Sequence, residues 1–130
     1  MLSSEECNNN KIRNIFSVIQ VYRDGVADNQ FHEVVEKEVR AIRVAFSKLG
    51  YPEEQYGISV IVCQKRHNTR LFYREGSQYT NVCVGLCAGD GSIVSGEKCE
   101  FYLNSHLAVL GTSKPCKYTL IYDTIGLKVC

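Results

Sequence analysis

The sequence lacks the marks of membrane, secreted and strongly basic proteins. No apolar run approaches the ~20 residues that a membrane-spanning helix needs. The first ten residues are polar and lack the apolar segment of a secretory signal peptide, so we expect an intracellular protein with reduced thiols. The formal net charge is only +1, so total charge gives no argument for nucleic-acid binding. Any such argument depends on where the charges lie.

Several common functional motifs are also missing. The seven cysteines have no regular spacing, and Cys83 and Cys87 form a single CxxxC pair, which argues against a zinc site. The sequence has no GxxxxGK[ST] loop, so it offers no support for a P-loop nucleoside triphosphatase. No Ser-His-Asp or Cys-His arrangement has the spacing of a nucleophilic site. These absences argue against a zinc protein, a P-loop nucleoside triphosphatase and a hydrolase with a catalytic triad.

The composition is that of one ordinary globular domain. The 130 residues are 45% apolar and 22% charged. Residues 1–11 are polar and rich in asparagine, and we expect this N-terminal segment to be disordered. Residues 12–130 then form the folded part of the chain.

The centre of the chain predicts a βαβ unit. Residues 15–22 and 57–63 are apolar and β-branched, which is typical of strands buried on both faces. Between them, Asp28 or Asn29 is a candidate cap, and Gly50 ends the helical pattern. The apolar face of this helix recurs at three- and four-residue steps: Phe31, Val34, Val35, Val39, Ile42, Phe46 and Leu49. We expect parallel strands with a right-handed crossover, and further strands near residues 80–86, 100–104 and 118–123.

Two polar clusters fall at the carboxyl ends of the two central strands. Asp24 ends the first strand, and residues 64–74 follow the second with no acid among them. Because parallel strands end at one sheet edge, both clusters are expected to lie together. The second cluster contains four cations and one histidine, namely Lys65, Arg66, Arg70, Arg74 and His67. From composition alone, a phosphate-binding segment and a basic surface loop are equally good interpretations.

Three further candidates remain, and two of them have simpler alternatives. Loop 111–115 contains a glycine, two hydroxyls and Lys114, which could cradle a phosphate. His106 is more simply a hydrogen-bonded histidine at a strand end. Asp24 suits Mg²⁺ or Mn²⁺ as an oxygen ligand, but two-metal chemistry needs several carboxylates, and a turn aspartate is the simpler interpretation.

Three segments, taken in order, resemble the PIWI domain of Argonaute proteins. Residues 22–26 (YRDGV) with Gln30 and Phe31 resemble the YRDGV…QF segment of that family. Residues 64–72 (QKRHNTRLF) resemble its QKRHxTRLF signature nearly letter for letter. Residues 101–106 (FYLNSH) and 111–115 (GTSKP) resemble FYLxSH…GTSRP. The likeness covers roughly residues 15–123.

The resemblance implies an α/β, ribonuclease H-like PIWI domain with the βαβ unit at its centre. It implies that Asp24 is a catalytic aspartate that binds Mg²⁺ or Mn²⁺ in a complete domain. It also implies contacts with the backbone of a guide RNA from Lys65, Arg66, His67, Arg70, His106 and Lys114. The expected partners are a single-stranded guide RNA, its target RNA and silencing-complex proteins, with no membrane. The expected location is cytoplasmic, with the nucleus as a second site.

The sequence also departs from the family pattern. The other acids and the histidine of the family's cleavage site have no match here, so we expect an internal part of the domain, inactive by itself. Lys114 replaces the usual arginine, which keeps the charge and loses the planar fork. The leading interpretation is guide small-RNA binding within an RNA-silencing effector. The alternatives are an RNA-guided endonuclease when part of a complete Argonaute, or a truncated, non-catalytic interaction module.

Overall fold

The computed structural model describes residues 18–89 and 99–127. The predicted disorder of residues 1–11 and the start of the first predicted strand, residues 15–17, lie outside the described residues. Within them, a five-stranded mixed sheet carries a helix on one face, which confirms the predicted α/β class.

The strands of the sheet are β1 (Val18–Asp24), β2 (Gly57–Gln64), β5 (Cys87–Ala88), β6 (Glu100–Leu103) and β7 (Cys116–Asp123). Their order in the sheet is β1-β2-β7-β6-β5. Strand β1 runs parallel to β2, and the remaining neighbours pair antiparallel. A separate two-stranded hairpin pairs β3 (Phe72–Glu75) with β4 (Gln78–Asn81). The parallel β1–β2 pair is the one that the βαβ prediction requires.

The helical stretch between β1 and β2 is continuous but not uniform. It consists of α1 (Phe31–Val34), a π-helical segment (Val35–Val39) and α2 (Arg40–Lys48). Gly50 ends it with a φ of +81°, a left-handed conformation that glycine adopts without strain. The amide of Tyr51 donates to the carbonyl of Phe46, which closes the last turn. The end of the helix is therefore where the sequence predicts it.

The start of the helix differs from the prediction. Asp28 and Asn29 belong to a short 3₁₀ turn (Asp28–Gln30) and do not cap the helix. The side chain of Gln30 accepts a hydrogen bond from the amide of Ala27 at 3.2 Å. The carboxylate of Asp28 instead accepts one from Gln64 Nε2 at 2.8 Å. The side chain of Gln64, at the end of β2, thus occupies the oxygen that was predicted to cap the helix.

The core lies between the helix and the sheet. Its buried members include Val34 and Val39 of the helical stretch and Ile58, Val60 and Val62 of β2. Strand β2 has the buried character that its apolar run predicts. Leu49, which was assigned to the apolar helix face, lies just past Lys48 and is exposed, because the helix ends before it could turn inward.

Two strand predictions need correction. Strand β1 is not buried on both faces, since Val18 and Tyr22 are exposed. The reason is its edge position in the described sheet, with the helix packed on one face only. The strand expected near residues 80–86 is instead β4 of the hairpin followed by a loop, because residues 78–81 find their partner in β3.

Candidate nucleic-acid interface

The parallel pairing of β1 and β2 brings the two predicted polar clusters together. The register pairs Asp24 with Cys63, so the residues after Cys63 continue beside the turn that follows Asp24. Lys65 Nζ lies 2.9 Å from Asp24 Oδ2, and both side chains are exposed. Through this hydrogen bond and its charge, Lys65 lowers the pKa of the Asp24 carboxyl, and Asp24 raises the pKa of Lys65. Asp24 is therefore an ionised, solvent-facing carboxylate at neutral pH.

A surface depression of about 910 Å³ lies at this sheet edge. Gln64 braces it by donating to the carbonyl of Val26 at 3.0 Å as well as to the carboxylate of Asp28. Among the described residues, no hydrogen bond or ion pair holds the exposed side chain of Arg66. The depression is lined by Asp24, Gly25, Val26, Ala27, Asp28, Gln64, Lys65 and Arg66. Its rim thus combines two carboxylates with two cations that can turn toward a ligand.

The half-buried ring of His67 is turned toward loop 111–115. Its Nε2 lies 2.8 Å from the carbonyl oxygen of Pro115 and must carry the proton, because a carbonyl only accepts. Its Nδ1 is buried and has no hydrogen-bond partner within the described part of the chain. The ring packs edge-on against Tyr102, with 5.2 Å between centroids. The basic segment, residues 65–70, is thereby joined to loop 111–115.

The guanidinium group of Arg70 also donates hydrogen bonds to the protein backbone. Its Nη1 donates to the backbone carbonyls of His67 at 2.9 Å and of Thr69 at 2.7 Å. Thr69 donates in turn to the hydroxyl of Tyr102 at 3.3 Å. These bonds tie together residues 67–70 of the basic segment, and no other hydrogen bond to a described residue occupies the remaining guanidinium nitrogens of Arg70.

Loop 111–115 is anchored on its other side by Asn81. The Nδ2 of Asn81 donates to the carbonyl of Gly111 at 2.8 Å, and its Oδ1 accepts from the amide of Ser113 at 3.0 Å. Ser113 and Pro115 are buried, whereas Lys114 between them is exposed. A loop held at both ends therefore presents one outward-facing ammonium group.

His106 lies apart from these contacts. It is exposed, and its Nδ1 lies 2.7 Å from the hydroxyl of Ser105. The preceding Asn104 is buried and donates to the carbonyls of Val82 and Cys83, both at 3.1 Å. Among the described residues, no hydrogen bond joins His106 to the basic segment or to loop 111–115. Its predicted contact with a guide strand stays a prediction.

The comparisons with known proteins identify the family. Residues 7–129 match the model of the Piwi domain. The chain belongs to the Piwi domain family. This result confirms the resemblance seen in the three sequence motifs.

One protein sequence and two solved structures are similar to this chain. The chain is 40% identical over 113 residues to Protein argonaute 7 of Oryza sativa subsp. japonica, covering 82% of this chain and 10% of that protein. The C-terminal lobe of a budding yeast Argonaute matches with a TM-score of 0.74 at 27% identity, over 85% of this chain and 25% of the other. The Kluyveromyces polysporus Argonaute, solved with a guide RNA, matches with a TM-score of 0.74 at 28% identity, over 95% and 16%. The chain thus spans about a tenth of the length of the rice relative, and the ribonuclease H-like fold prediction is supported by both structures.

The Piwi-domain residues described here do not form a metal site by themselves. No group of three or more His, Cys, Asp or Glu side chains within residues 18–89 and 99–127 is arranged to hold an ion. Asp24 offers one carboxylate, and its nearest charged partner is a cation. In the same described ranges, no helix is long and apolar enough to cross a bilayer.

Sequence reasoning missed the residues that support the interface. Asn81 holds loop 111–115, and the hydroxyl of Tyr102 accepts a hydrogen bond from Thr69 of the basic segment. Asn104 holds the carbonyl of Val82 through a buried hydrogen bond, and Glu100 forms an ion pair with Lys117 at 3.0 Å. The only sequence signal was alternation, since Glu100 and Tyr102 share one face of a short strand. That signal does not tell which face is buried.

Proposed function

We propose that this Piwi-domain chain binds the sugar-phosphate backbone of a guide small RNA as part of an Argonaute-type RNA-silencing effector. One observation carries the proposal: the cations that follow β2 lie beside Asp24 at one sheet edge and are joined through His67 to the loop that presents Lys114. The Kluyveromyces polysporus Argonaute, whose structure is similar to this chain, was solved with a guide RNA, which supports the choice of ligand.

The arrangement suits phosphates better than bases. Lys65, Arg66 and Lys114 are exposed cations mounted on braced segments, and clustered cations of this kind neutralise successive phosphates. Cations on phosphates position a strand and carry no base information. We therefore expect the chain to hold a guide by charge and shape, and to leave sequence reading to pairing between the guide and its target RNA.

An NMR titration of the ¹⁵N-labelled chain tests where RNA binds. A ten-nucleotide single-stranded RNA is expected to shift the amide signals of the basic segment and loop 111–115 at 50 mM salt. Signals of α2, on the far side of the core, should stay unchanged. The matched control is a peptide nucleic acid of the same base sequence, whose backbone has no phosphates and should shift none of these signals.

Other patterns of shifts would contradict the proposal. Shifts confined to the β3–β4 hairpin or to the helix would place the ligand elsewhere. Equal shifts with the uncharged analogue would show that the bases, and not the phosphates, are bound.

We further propose that Asp24 supplies one ligand of a catalytic Mg²⁺ or Mn²⁺ when the remaining ligands are provided from outside the described residues. The supporting observation is its exposed position at the end of β1, where Lys65 lowers the pKa of its carboxyl. A divalent ion at this place would compete with Lys65 for the carboxylate. RNA-guided cleavage is the second candidate function, and it depends on those further ligands.

Paramagnetic Mn²⁺ tests the metal proposal without requiring activity. With Asp24 as a lone ligand, Mn²⁺ at millimolar concentration is expected to broaden the amide signals of Gly25 and Lys65 selectively. Asp24→Asn should abolish this broadening, and Lys65→Met should strengthen it because the competing cation is gone. Glu36→Gln is the matched control, because it neutralises an exposed carboxylate on the helix. This substitution should leave the broadening of the Gly25 and Lys65 signals unchanged. Unchanged broadening in Asp24→Asn would exclude Asp24 as a ligand.

A further inference from the structure

We propose that His67 is a positioning residue that fixes loop 111–115, and with it Lys114, against the basic segment, and that His67 itself contacts no phosphate. The inference rests on the proposed RNA binding and revises the role that the sequence resemblance implies for this histidine. In this role, His67 sets the distance between Lys114 and the cations of the basic segment.

Both ring nitrogens of His67 are withdrawn from the surface. Nε2 donates its proton to the carbonyl of Pro115, which is itself among the fully buried residues. Nδ1 is buried without a partner among the described residues. A phosphate oxygen would have to break the bond to Pro115 or open the loop to reach either nitrogen.

The ring sits where two braced segments meet. On one side, Arg70 donates to the carbonyls of His67 and Thr69, which fixes the backbone that directly follows Lys65 and Arg66. The orientation of the His67 ring is fixed by its contact with the ring of Tyr102, which is only 8% exposed. Within the described residues, the His67–Pro115 bond is the side-chain hydrogen bond that joins the basic segment to loop 111–115.

The opposite end of the loop is set independently. Asn81 holds Gly111 and Ser113 from the hairpin side, and Cys116 already belongs to β7, so loss of the His67 bond would free only the short stretch between Ser113 and Cys116. Lys114 lies between these two anchors. A released loop would have to be ordered again on binding, and ordering costs affinity. Loss of the His67 bond should therefore remove the contribution of Lys114 and leave that of Lys65 intact.

A double-mutant cycle with single-stranded RNA tests this coupling at 50 mM salt. In the unaltered chain, Lys114→Ala and Lys65→Ala should each weaken binding about sevenfold, as expected for one phosphate contact. In the His67→Leu background, which keeps packing against Tyr102 and removes the N–H, Lys114→Ala should change affinity less than twofold. Lys65→Ala should still weaken binding about sevenfold there. His67→Gln, whose Nε2 can donate to Pro115, should restore the full effect of Lys114→Ala.

The outcomes separate the two proposals. If the unaltered chain binds no RNA, the proposed function fails and this inference fails with it. If it binds and the effects of His67→Leu and Lys114→Ala simply add, the function stands and the positioning role is wrong. A measurement on the unaltered chain covers the case of a misfolded variant: the ring ¹⁵N signals of His67 should keep the Nε2–H pattern at RNA saturation. A shift of these signals on binding would show direct contact and overturn the inference.

Discussion

Replacing Lys117 by alanine is expected to lower the free energy of unfolding by about 3 kcal/mol, because it leaves a buried carboxylate without its counter-charge. Lys117 Nζ lies 3.0 Å from Glu100 Oε1, and the two side chains are only 13% and 9% exposed. Thr119 donates to the same oxygen at 3.2 Å and cannot replace the lost charge. The pair links β6 to β7, the strands that loop 111–115 connects, so its loss should loosen the loop as well. Urea unfolding followed by circular dichroism measures the effect.

The control for this prediction removes both charges together. Lys117→Met with Glu100→Gln should cost clearly less than Lys117→Ala alone, because no unpaired charge stays buried. Lys48→Ala removes an exposed lysine at the far end of the helix and should change stability by less than about 0.5 kcal/mol. Equal stability of Lys117→Ala and the unaltered chain would show that solvent reaches this pair.

The sequence predicts the central fold because local patterns and topology agree there. The apolar run of β2 and the three- and four-residue periodicity of the helix specify a βαβ unit without knowledge of distant contacts. Strand β1 itself was predicted, but its burial on both faces was predicted wrongly, since an apolar run does not reveal whether a neighbour covers it. The same limit applies to the hairpin, where pairing between β3 and β4 overrides the strand expected near residues 80–86.

Some contacts of the candidate site are likewise predictable from the sequence, and others are not. The meeting of Asp24 and Lys65 follows from the parallel strands, and so it was predictable from the sequence. The inward orientation of the His67 ring was not, because it depends on Pro115 and Tyr102, which lie 48 and 35 residues further along the chain. The ion pair of Glu100 with Lys117 depends on the antiparallel register of β6 with β7. Sequence patterns identify which charges are present, and only the fold decides which of them face a ligand.

The basic segment and loop 111–115 together form the proposed phosphate track. We expect a large loss of RNA affinity when two exposed cations of the basic segment are removed. Lys65 and Arg66 line one depression and are both exposed. A single-strand phosphate contact contributes about 0.7 to the slope of log affinity against log salt, so Lys65→Ala with Arg66→Ala should flatten that slope by about 1.4. At 50 mM salt this corresponds to roughly a 50-fold weaker complex. Lys48→Ala together with Arg40→Ala removes the same charge from α2 and is the matched control.

The salt dependence of single-stranded RNA binding by these two double variants therefore tests the central claim most directly. Fluorescence anisotropy from 50 to 300 mM salt should give the control variant the slope of the unaltered chain, and the Lys65/Arg66 variant the flatter one. The same slope for all three proteins, or an equal loss in the helix control, would contradict a phosphate track at the ends of β1 and β2.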